Sequence, residues 1–219
     1  MLSYLLLVNI LVLGGEKNKK TPTFSEWQDL QVNDINRFPL HTHFFAFESE
    51  KLAKEGDIAK STNYFSIEGN WKFHWVANAN ERPTNFWNQD FDDSQWGTMP
   101  VPGIWELNGY GDPVYVNPGY AWRGHFENNP PYVPQKNNHV GSYRQEFEIP
   151  ALWAGRKIIM YLGSVTSCVY VWVNGQFVGY SEDSKVAAEF DVSKYIEPGK
   201  KNLIAMQVFR WCDGTYLED

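Results

Sequence analysis

The sequence has little cysteine and lacks the short motifs that mark most catalytic and cofactor sites. Two cysteines in 219 residues, Cys168 and Cys212, exclude a disulfide framework and a structural zinc site. We expect both to be free thiols, with a bridge between them as the alternative. No G-x-S-x-G, phosphate-loop, G-x-G-x-x-G or H-E-x-x-H motif occurs in the chain. The sequence therefore offers no local indication that this chain is itself catalytic.

An excess of positive charge is also absent. The net charge is −7, which argues against binding to nucleic acid. The charge is modest and aromatic residues are plentiful, so intrinsic disorder is excluded. The 17 glycines and 12 prolines are scattered without a period, which excludes a collagen-like chain. Length and a hydrophobic content of 43% predict one ordinary domain, or one domain with a tail.

A long apolar run occurs at the N-terminus. Residues 2–13 read LSYLLLVNILVL, a length that suits the core of a secretory signal and is too short to span a bilayer comfortably. However, no Lys or Arg precedes the run, and no clean cleavage site follows it. We predict that residues 1–20 form a hydrophobic leader and that the protein is exported to the periplasm. The alternatives are a buried element of the domain and a cytoplasmic location.

Aromatic residues are what the sequence has in excess, with 10 Trp, 12 Tyr and 14 Phe. This content suits a β-sandwich, and also a surface that stacks on sugar rings. Residues 21–60 show no steady period and predict an irregular arm whose aromatic residues, Trp27 and Phe44 among them, need burial. From residue 61 onwards, short strands alternate with turns. We therefore predict an all-β sandwich over residues 61–219, with little helix.

The strands are marked most clearly in the second half of the chain. Asn174-Gly175 lies between two apolar runs and predicts a type I′ hairpin that joins strands 168–173 and 176–180. Residues 142–149 alternate as a half-buried strand does, whereas 157–162 predict a strand buried on both faces. Residues 65–67 and 71–75 predict two short strands or one bulged strand, and the remaining predicted strands are 188–192 and 201–210.

Residues 100–141 differ from the rest, because they form a long segment rich in Pro, Gly and aromatic residues. A loop of this length is uncommon in a compact domain unless it is functional or covered by a partner. The pattern therefore places the candidate site here. Elsewhere, His41 and His43 could face the same way, but two histidines without a third ligand favour a structural role.

Two pairs of adjacent acidic residues, Asp92-Asp93 and Glu182-Asp183, raise the question of glycosidase chemistry. Glycosidase carboxylates need a fixed separation across a sugar-sized cleft. Adjacent residues on a polar turn usually point apart. We therefore interpret both pairs as solvated loop charges.

Residues 25–219 resemble the N-terminal region of the large β-galactosidases of glycoside hydrolase family 2. The resemblance lies in five segments that occur in one order: VPGIWELNGYGDPVYVN, NPPYVP, GSYRQEF, VYVWVNGQFVGYSEDSKVAAEFD and RWCDGTYLED. The pattern W-x-x-x-G-Y-G-x-P-x-Y is shared widely in the family. NPPYVP and DGTYLED together are specific to the β-galactosidase branch.

The resemblance implies a jelly-roll sugar-binding domain, preceded by an arm that helps to assemble subunits. It also implies that the chain is truncated relative to a multi-domain enzyme, a retaining β-galactosidase and homo-oligomer whose catalytic glutamates lie in a later barrel. The implied partners are a galactoside substrate and the downstream domains, namely β-sandwich linkers and the catalytic barrel. Magnesium and sodium are implied for the whole enzyme, and no metal ligand is assigned in this fragment.

The resemblance further implies a substrate-binding role for Asn117, the asparagine of GYGDPVYVN. Its amide offers both a donor and an acceptor to the galactosyl hydroxyls. Tyr115 and Pro118 would shape the same wall of the site. The alternative is that Asn117 is a turn former before Pro118. The segment GYAWRG departs from the family pattern, and its Trp122 either stacks on a sugar or packs inside the domain.

Two other functions remain as alternatives. A free-standing carbohydrate-binding module would bind sugar through exposed aromatic residues such as Trp105 or Trp122. A structural module would use the aromatic loop only to pack against neighbouring domains, and would expose an apolar surface when isolated.

Overall fold

The computed structural model describes residues 21–114 and 119–217. The regular secondary structure of this part is mostly β-strand, with one short α-helix, α1 (Glu50–Glu55), and six 3₁₀ helices of three to five residues. The strands are β1 (Asp34–Ile35), β2 (Gly69–Val76), β3 (Gly97–Val101), β4 (Val140–Glu148), β5 (Ile159–Leu162), β6 (Cys168–Val173), β7 (Gln176–Ser181), β8 (Ala188–Asp191) and β9 (Lys201–Phe209). The predicted leader, residues 1–20, lies outside the described residues. None of the helices within those residues has the length and apolar character needed to cross a membrane.

The strands form two antiparallel sheets. The larger sheet has seven strands in the order β1-β7-β6-β9-β4-β2-β3, and the smaller sheet pairs β5 with β8. Every pairing is antiparallel, and most of the neighbours in the large sheet are distant in the sequence. The all-β prediction is confirmed.

Apolar clusters cover both faces of the large sheet. Side chains alternate between the faces along a strand, so Val169 and Val171 of β6 join one cluster while Tyr170 and Trp172 join the other. The first cluster fills the space between the two sheets, where Phe190 of the small sheet meets the large one. The second lies under the N-terminal arm and the long loop. Burial on both faces explains why β6 is apolar at every position.

The β6–β7 hairpin follows directly from its turn residues. Asn174 and Gly175 have φ values of 49° and 79°, the left-handed values that a type I′ turn requires at both central positions. The side chain of Asn174 also joins the turn to β9, because its Oδ1 accepts a hydrogen bond from the amide of Leu203 at 2.8 Å. The predicted hairpin is confirmed.

Two strand predictions are wrong in detail. Residues 65–67 are not in a strand, since β2 begins at Gly69, with extended pairing to β3 from its first residue. The strand predicted over 157–162 is buried on one face only, because β5 lies in the two-stranded sheet and turns its outer face to solvent. Ile159 and Tyr161 on that face are 38% and 47% exposed.

The N-terminal arm packs on the large sheet through part of its length. Trp27 is buried and stacks on Phe209 of β9, with ring centroids 5.3 Å apart. Ile35 extends the large sheet by pairing with Tyr180 of β7. The expectation that all the aromatic residues of the arm are buried is wrong for Phe44, which is 72% exposed. Beyond Ile35 the arm contacts the small sheet, where the amide of Phe38 donates to the carbonyl oxygen of Glu189 at 2.9 Å and His43 packs on Tyr161 with ring centroids 5.3 Å apart.

Candidate functional site

Several strand ends meet at one end of the large sheet. Phe209, the last residue of β9, lies opposite both Cys168, the first residue of β6, and Val140, the first residue of β4. Ser181, the last residue of β7, lies opposite Val169. The chain that leaves β7 and β9 and the chain that enters β4 and β6 are therefore neighbours. This end of the sheet holds the functional candidates described below.

A cluster of buried acidic groups lies at this sheet end. Glu182 follows β7, while Cys212 and Asp213 follow β9, and all three side chains are at most 4% exposed. Their ligand atoms lie within 4.8 Å of one another. Among the described residues, Oε2 of Glu182 and Oδ1 of Asp213 are buried without a hydrogen-bond partner. The two carboxyl groups also interact directly with each other, so a proton shared between them is as consistent with this geometry as a bound cation.

Burial controls the protonation of this cluster. It raises the pKa of Glu182 to about 10, with the nearby Cys212 adding to the effect, and it raises the pKa of Asp213 as well. Tyr180 donates a hydrogen bond from its hydroxyl to Oε1 of Glu182. Glu182 is thus held as a neutral acid at pH 7 unless a cation replaces its proton. The interpretation of Glu182 as a solvated loop charge is wrong.

The chemistry of the donors limits what this cluster can do. Carboxyl oxygens suit hard cations such as Mg²⁺ or Ca²⁺, whereas the Cys212 thiol suits softer metals. The two carboxyl groups do not form a glycosidase pair, because they lie side by side in the interior and not across an open cleft. Sequence reasoning missed the cluster because Glu182 and Asp213 are far apart in the chain. Only the strand order β7-β6-β9 brings them together.

The long loop between β3 and β4 is fastened to the segment that follows β9. The Asn138 side chain and the backbone of Trp211 exchange two hydrogen bonds of 3.0 Å each. Tyr216 donates its hydroxyl to the carbonyl oxygen of Tyr132 at 2.7 Å. Arg210 contacts the carboxylate of Asp112 at 3.0 Å. A loop of irregular backbone is therefore held at several points along its length.

Of the predicted site residues, Tyr115, Asn117 and Pro118 lie outside the described residues. Trp122 is 8% exposed and packs against Tyr120, Phe126 and Tyr216, at centroid distances of 6.2, 5.6 and 5.3 Å. Its side chain thus lies in the second apolar cluster, directly beneath the loop.

The other candidates from the sequence have structural partners. Trp105 is buried and donates its indole N–H to the hydroxyl of Tyr143. Trp105 and Trp122 are therefore not the exposed aromatic residues that a free-standing sugar-binding module would use. His41 contacts Oε2 of Glu189 at 3.1 Å. Asp93 accepts a hydrogen bond from Arg144 at 2.7 Å, so it is an ion-pair partner and not merely a solvated charge.

The architecture defines the class of the protein as an antiparallel β-sandwich domain with a long fastened loop at one sheet end. A family model described as "Glycosyl hydrolases family 2, sugar binding domain" matches residues 64–219. The chain belongs to this family.

Curated β-galactosidases resemble this chain over most of its length. A β-galactosidase of Priestia megaterium is 38% identical over 197 residues, which cover 90% of this chain and 19% of that protein. A β-galactosidase of Halalkalibacterium halodurans is 39% identical over 201 residues, covering 91% and 20%. The chain thus spans about a fifth of the length of these relatives. A solved family 2 glycosyl hydrolase from Bacteroides cellulosilyticus has a TM-score of 0.47 and 23% identity, covering 67% of this chain and 17% of that one.

Proposed function

We propose that this chain is the sugar-positioning domain of a retaining β-galactosidase that hydrolyses terminal β-D-galactosides. The observation that carries the proposal is the 38% identity to a β-galactosidase over 90% of the chain. In a retaining glycosidase, one carboxylic acid protonates the leaving oxygen while a second carboxylate attacks the anomeric carbon. The described residues contain no such pair across an open cleft. Downstream domains would supply that chemistry, and this domain would not be catalytic.

The proposed contribution of this domain is a hydrogen bond from Asn117 to the galactosyl hydroxyls. A neutral amide can donate and accept at once without competing as an acid. Such a contact adds rate when it strengthens as the transition state forms. Tyr115 and Pro118 would form the adjacent wall. The buried position of Trp122 supports packing inside the domain, and not stacking on a sugar, as the role of this residue.

Replacement of the amide tests this role. In the full-length enzyme, Asn117→Ala should lower kcat/KM by about 10- to 100-fold, since an unsatisfied hydrogen bond costs about 1–3 kcal/mol. The thermal midpoint should not change. Asn128→Ala is the matched control, because Asn128 is an exposed asparagine of the same loop. Equal efficiency for Asn117→Ala and the wild type would refute the role.

The family resemblance implies magnesium and sodium for the whole enzyme, and we assign no ligand of either ion to this domain. The buried cluster of Glu182, Cys212 and Asp213 does not suit Mg²⁺, because that ion keeps several waters and prefers oxygen donors, whereas these residues are at most 4% exposed and include a thiol.

The proposed partners are the downstream domains of the same enzyme. Ile104 and Leu107 on the long loop and Leu217 after β9 are 59%, 81% and 83% exposed. Exposed apolar residues on the long loop and after the last strand favour contact with further protein. We also propose that the whole enzyme is a homo-oligomer and that the arm contributes to its contacts. Export through the N-terminal leader is a further part of the proposal. Nucleic acid is not among the proposed partners.

A further inference from the structure

The chain contains two Asn-Gly pairs, Asn108-Gly109 on the long loop and Asn174-Gly175 in the β6–β7 turn. An asparagine before glycine is prone to lose its side-chain amide, because no Cβ shields the backbone nitrogen that attacks it. Both glycines have positive φ values, 88° and 79°, so both pairs lie in tight turns. The pairs are thus alike in sequence and in glycine conformation, and they differ in what holds the asparagine side chain.

The side chain of Asn174 is held by four hydrogen bonds. Its Nδ2 donates to the carbonyl oxygen of Tyr195 and to Oδ1 of Asn202, both at 2.8 Å. Its Oδ1 accepts from the amide of Leu203 at 2.8 Å and from Nε2 of Gln89 at 3.3 Å. The backbone on either side of the turn belongs to the paired strands β6 and β7. A rotation of this side chain toward the next backbone nitrogen would therefore break all of these contacts and disturb the hairpin.

Asn108 is held much less firmly. Both Asn108 and Gly109 are exposed, and the preceding Leu107 is 81% exposed. Among the described residues, the Asn108 side chain makes one hydrogen bond, from Nδ2 to the carbonyl oxygen of Ile104 at 2.9 Å. The pair ends a 3₁₀ helix of three residues, Glu106–Asn108. Local opening is cheap in exposed segments with few contacts, so this side chain can rotate at little cost.

We propose that Asn108 is a site of spontaneous deamidation whenever the long loop is not covered by another domain, and that the folded hairpin protects Asn174. The Gly109 nitrogen forms a bond to Cγ of Asn108, and the bond between Cγ and Nδ2 breaks. The side-chain nitrogen leaves as ammonia, which takes the proton of the Gly109 amide. Water then opens the cyclic imide at either of its carbonyl groups and gives aspartate or isoaspartate. The inference does not rest on the proposed function.

The product differs from Asn108 in charge and in hydrogen bonding. A carboxylate replaces a neutral amide, and it has no proton to donate to the carbonyl oxygen of Ile104. The hydrogen bond that closes this turn is therefore lost. Ile104 and Leu107, both exposed, lie on either side of the new charge in the sequence. Deamidation would thus place a charge in an apolar part of the loop surface and oppose its contact with an apolar partner.

Incubation of the 219-residue chain at mildly alkaline pH, followed by peptide mass spectrometry, tests the proposal. Loss of the amide should be at least about 10-fold faster at Asn108 than at Asn174, since more hydrogen bonds must break at Asn174. Asn128 is the matched control, because it is an exposed asparagine of the same loop that is not followed by glycine. It should keep its amide. Hydrogen exchange of the same sample must show protected amides in β6, which establishes that the hairpin is folded.

The denatured chain and one variant complete the test. In guanidinium chloride the two Asn-Gly pairs should react at rates within about 3-fold of each other, because the protection of Asn174 belongs to the fold. Gly109→Ala should slow the reaction at Asn108 and leave Asn174 unchanged, since a Cβ shields the attacking nitrogen. Equal rates for the two pairs in the folded chain, or an intact Asn108 there, would overturn the proposal. An unchanged rate in Gly109→Ala would overturn the cyclic route.

Discussion

At the scale of single residues, burial decides the behaviour of the ionisable groups at the sheet end. Burial lowers the pKa of His139 to about 4, and the neighbouring Arg210 adds to this effect. Asp112 opposes it weakly, and His125 reinforces it. Arg210 in turn holds the pKa of Asp112 below its usual range. The structure thus favours a neutral imidazole between a fixed cation and a fixed anion.

The protonation of His139 makes stability depend on pH. The unfolded chain binds a proton at His139 below about pH 6.5, while the folded chain resists it down to about pH 4. The free energy of unfolding should therefore fall as the pH is lowered from 6.5 to 4. His139→Gln should remove about 2 kcal/mol of that fall between pH 7 and 4.5. Denaturant unfolding at pH 7 and pH 4.5 measures the fall in the free energy of unfolding for the wild type and the variant. Equal falls for the two proteins would contradict the lowered pKa of His139.

The environment of a residue was predictable from the sequence where a single local rule determines it. Asn174 and Gly175 tolerate the positive φ values that a type I′ turn requires, so the turn could be predicted from these two residues alone. Glu182 shows the opposite case, since it is followed in the sequence by polar residues while its neighbours in space include Cys212 and Asp213, some 30 residues away. No pattern along the chain contains the strand order that brings these groups together.

At the scale of elements, the large sheet is stabilised by what covers each face. The small sheet covers one face, and the arm and the long loop cover the other. The strands in the centre were predictable because burial on both faces leaves a continuous apolar run, as in β6. The one-sided burial of β5 was not predictable, because a short apolar run does not show which face meets solvent.

The arm should contribute stability through its buried part only. Trp27→Ala should lower the free energy of unfolding by about 3–5 kcal/mol, since it removes a buried ring that stacks on Phe209. Phe44→Ala, also in the arm but 72% exposed, should change it by less than about 0.5 kcal/mol. Denaturant unfolding of the two variants measures both values. Similar values for both would show that the arm does not pack as described.

At the scale of the whole molecule, the proposed partners of this domain are further domains of the same enzyme. The exposed Ile104 and Leu107 lie on the long loop, and the exposed Leu217 follows β9. One polar contact in an incomplete site contributes less free energy than is lost when a sugar is immobilised. In the proposed function, the substrate site is therefore shared between two domains, and this domain contributes only part of it.

The most direct test compares this chain with the longer enzyme. Galactose and lactose are titrated into purified residues 21–219 by calorimetry, and a nitrophenyl β-galactoside is assayed with that chain and with the full-length protein. The account predicts no saturable binding and no turnover by the chain alone, with turnover by the full-length protein. Saturable binding by the chain alone at millimolar concentration or below would contradict it and would indicate an independent sugar-binding module.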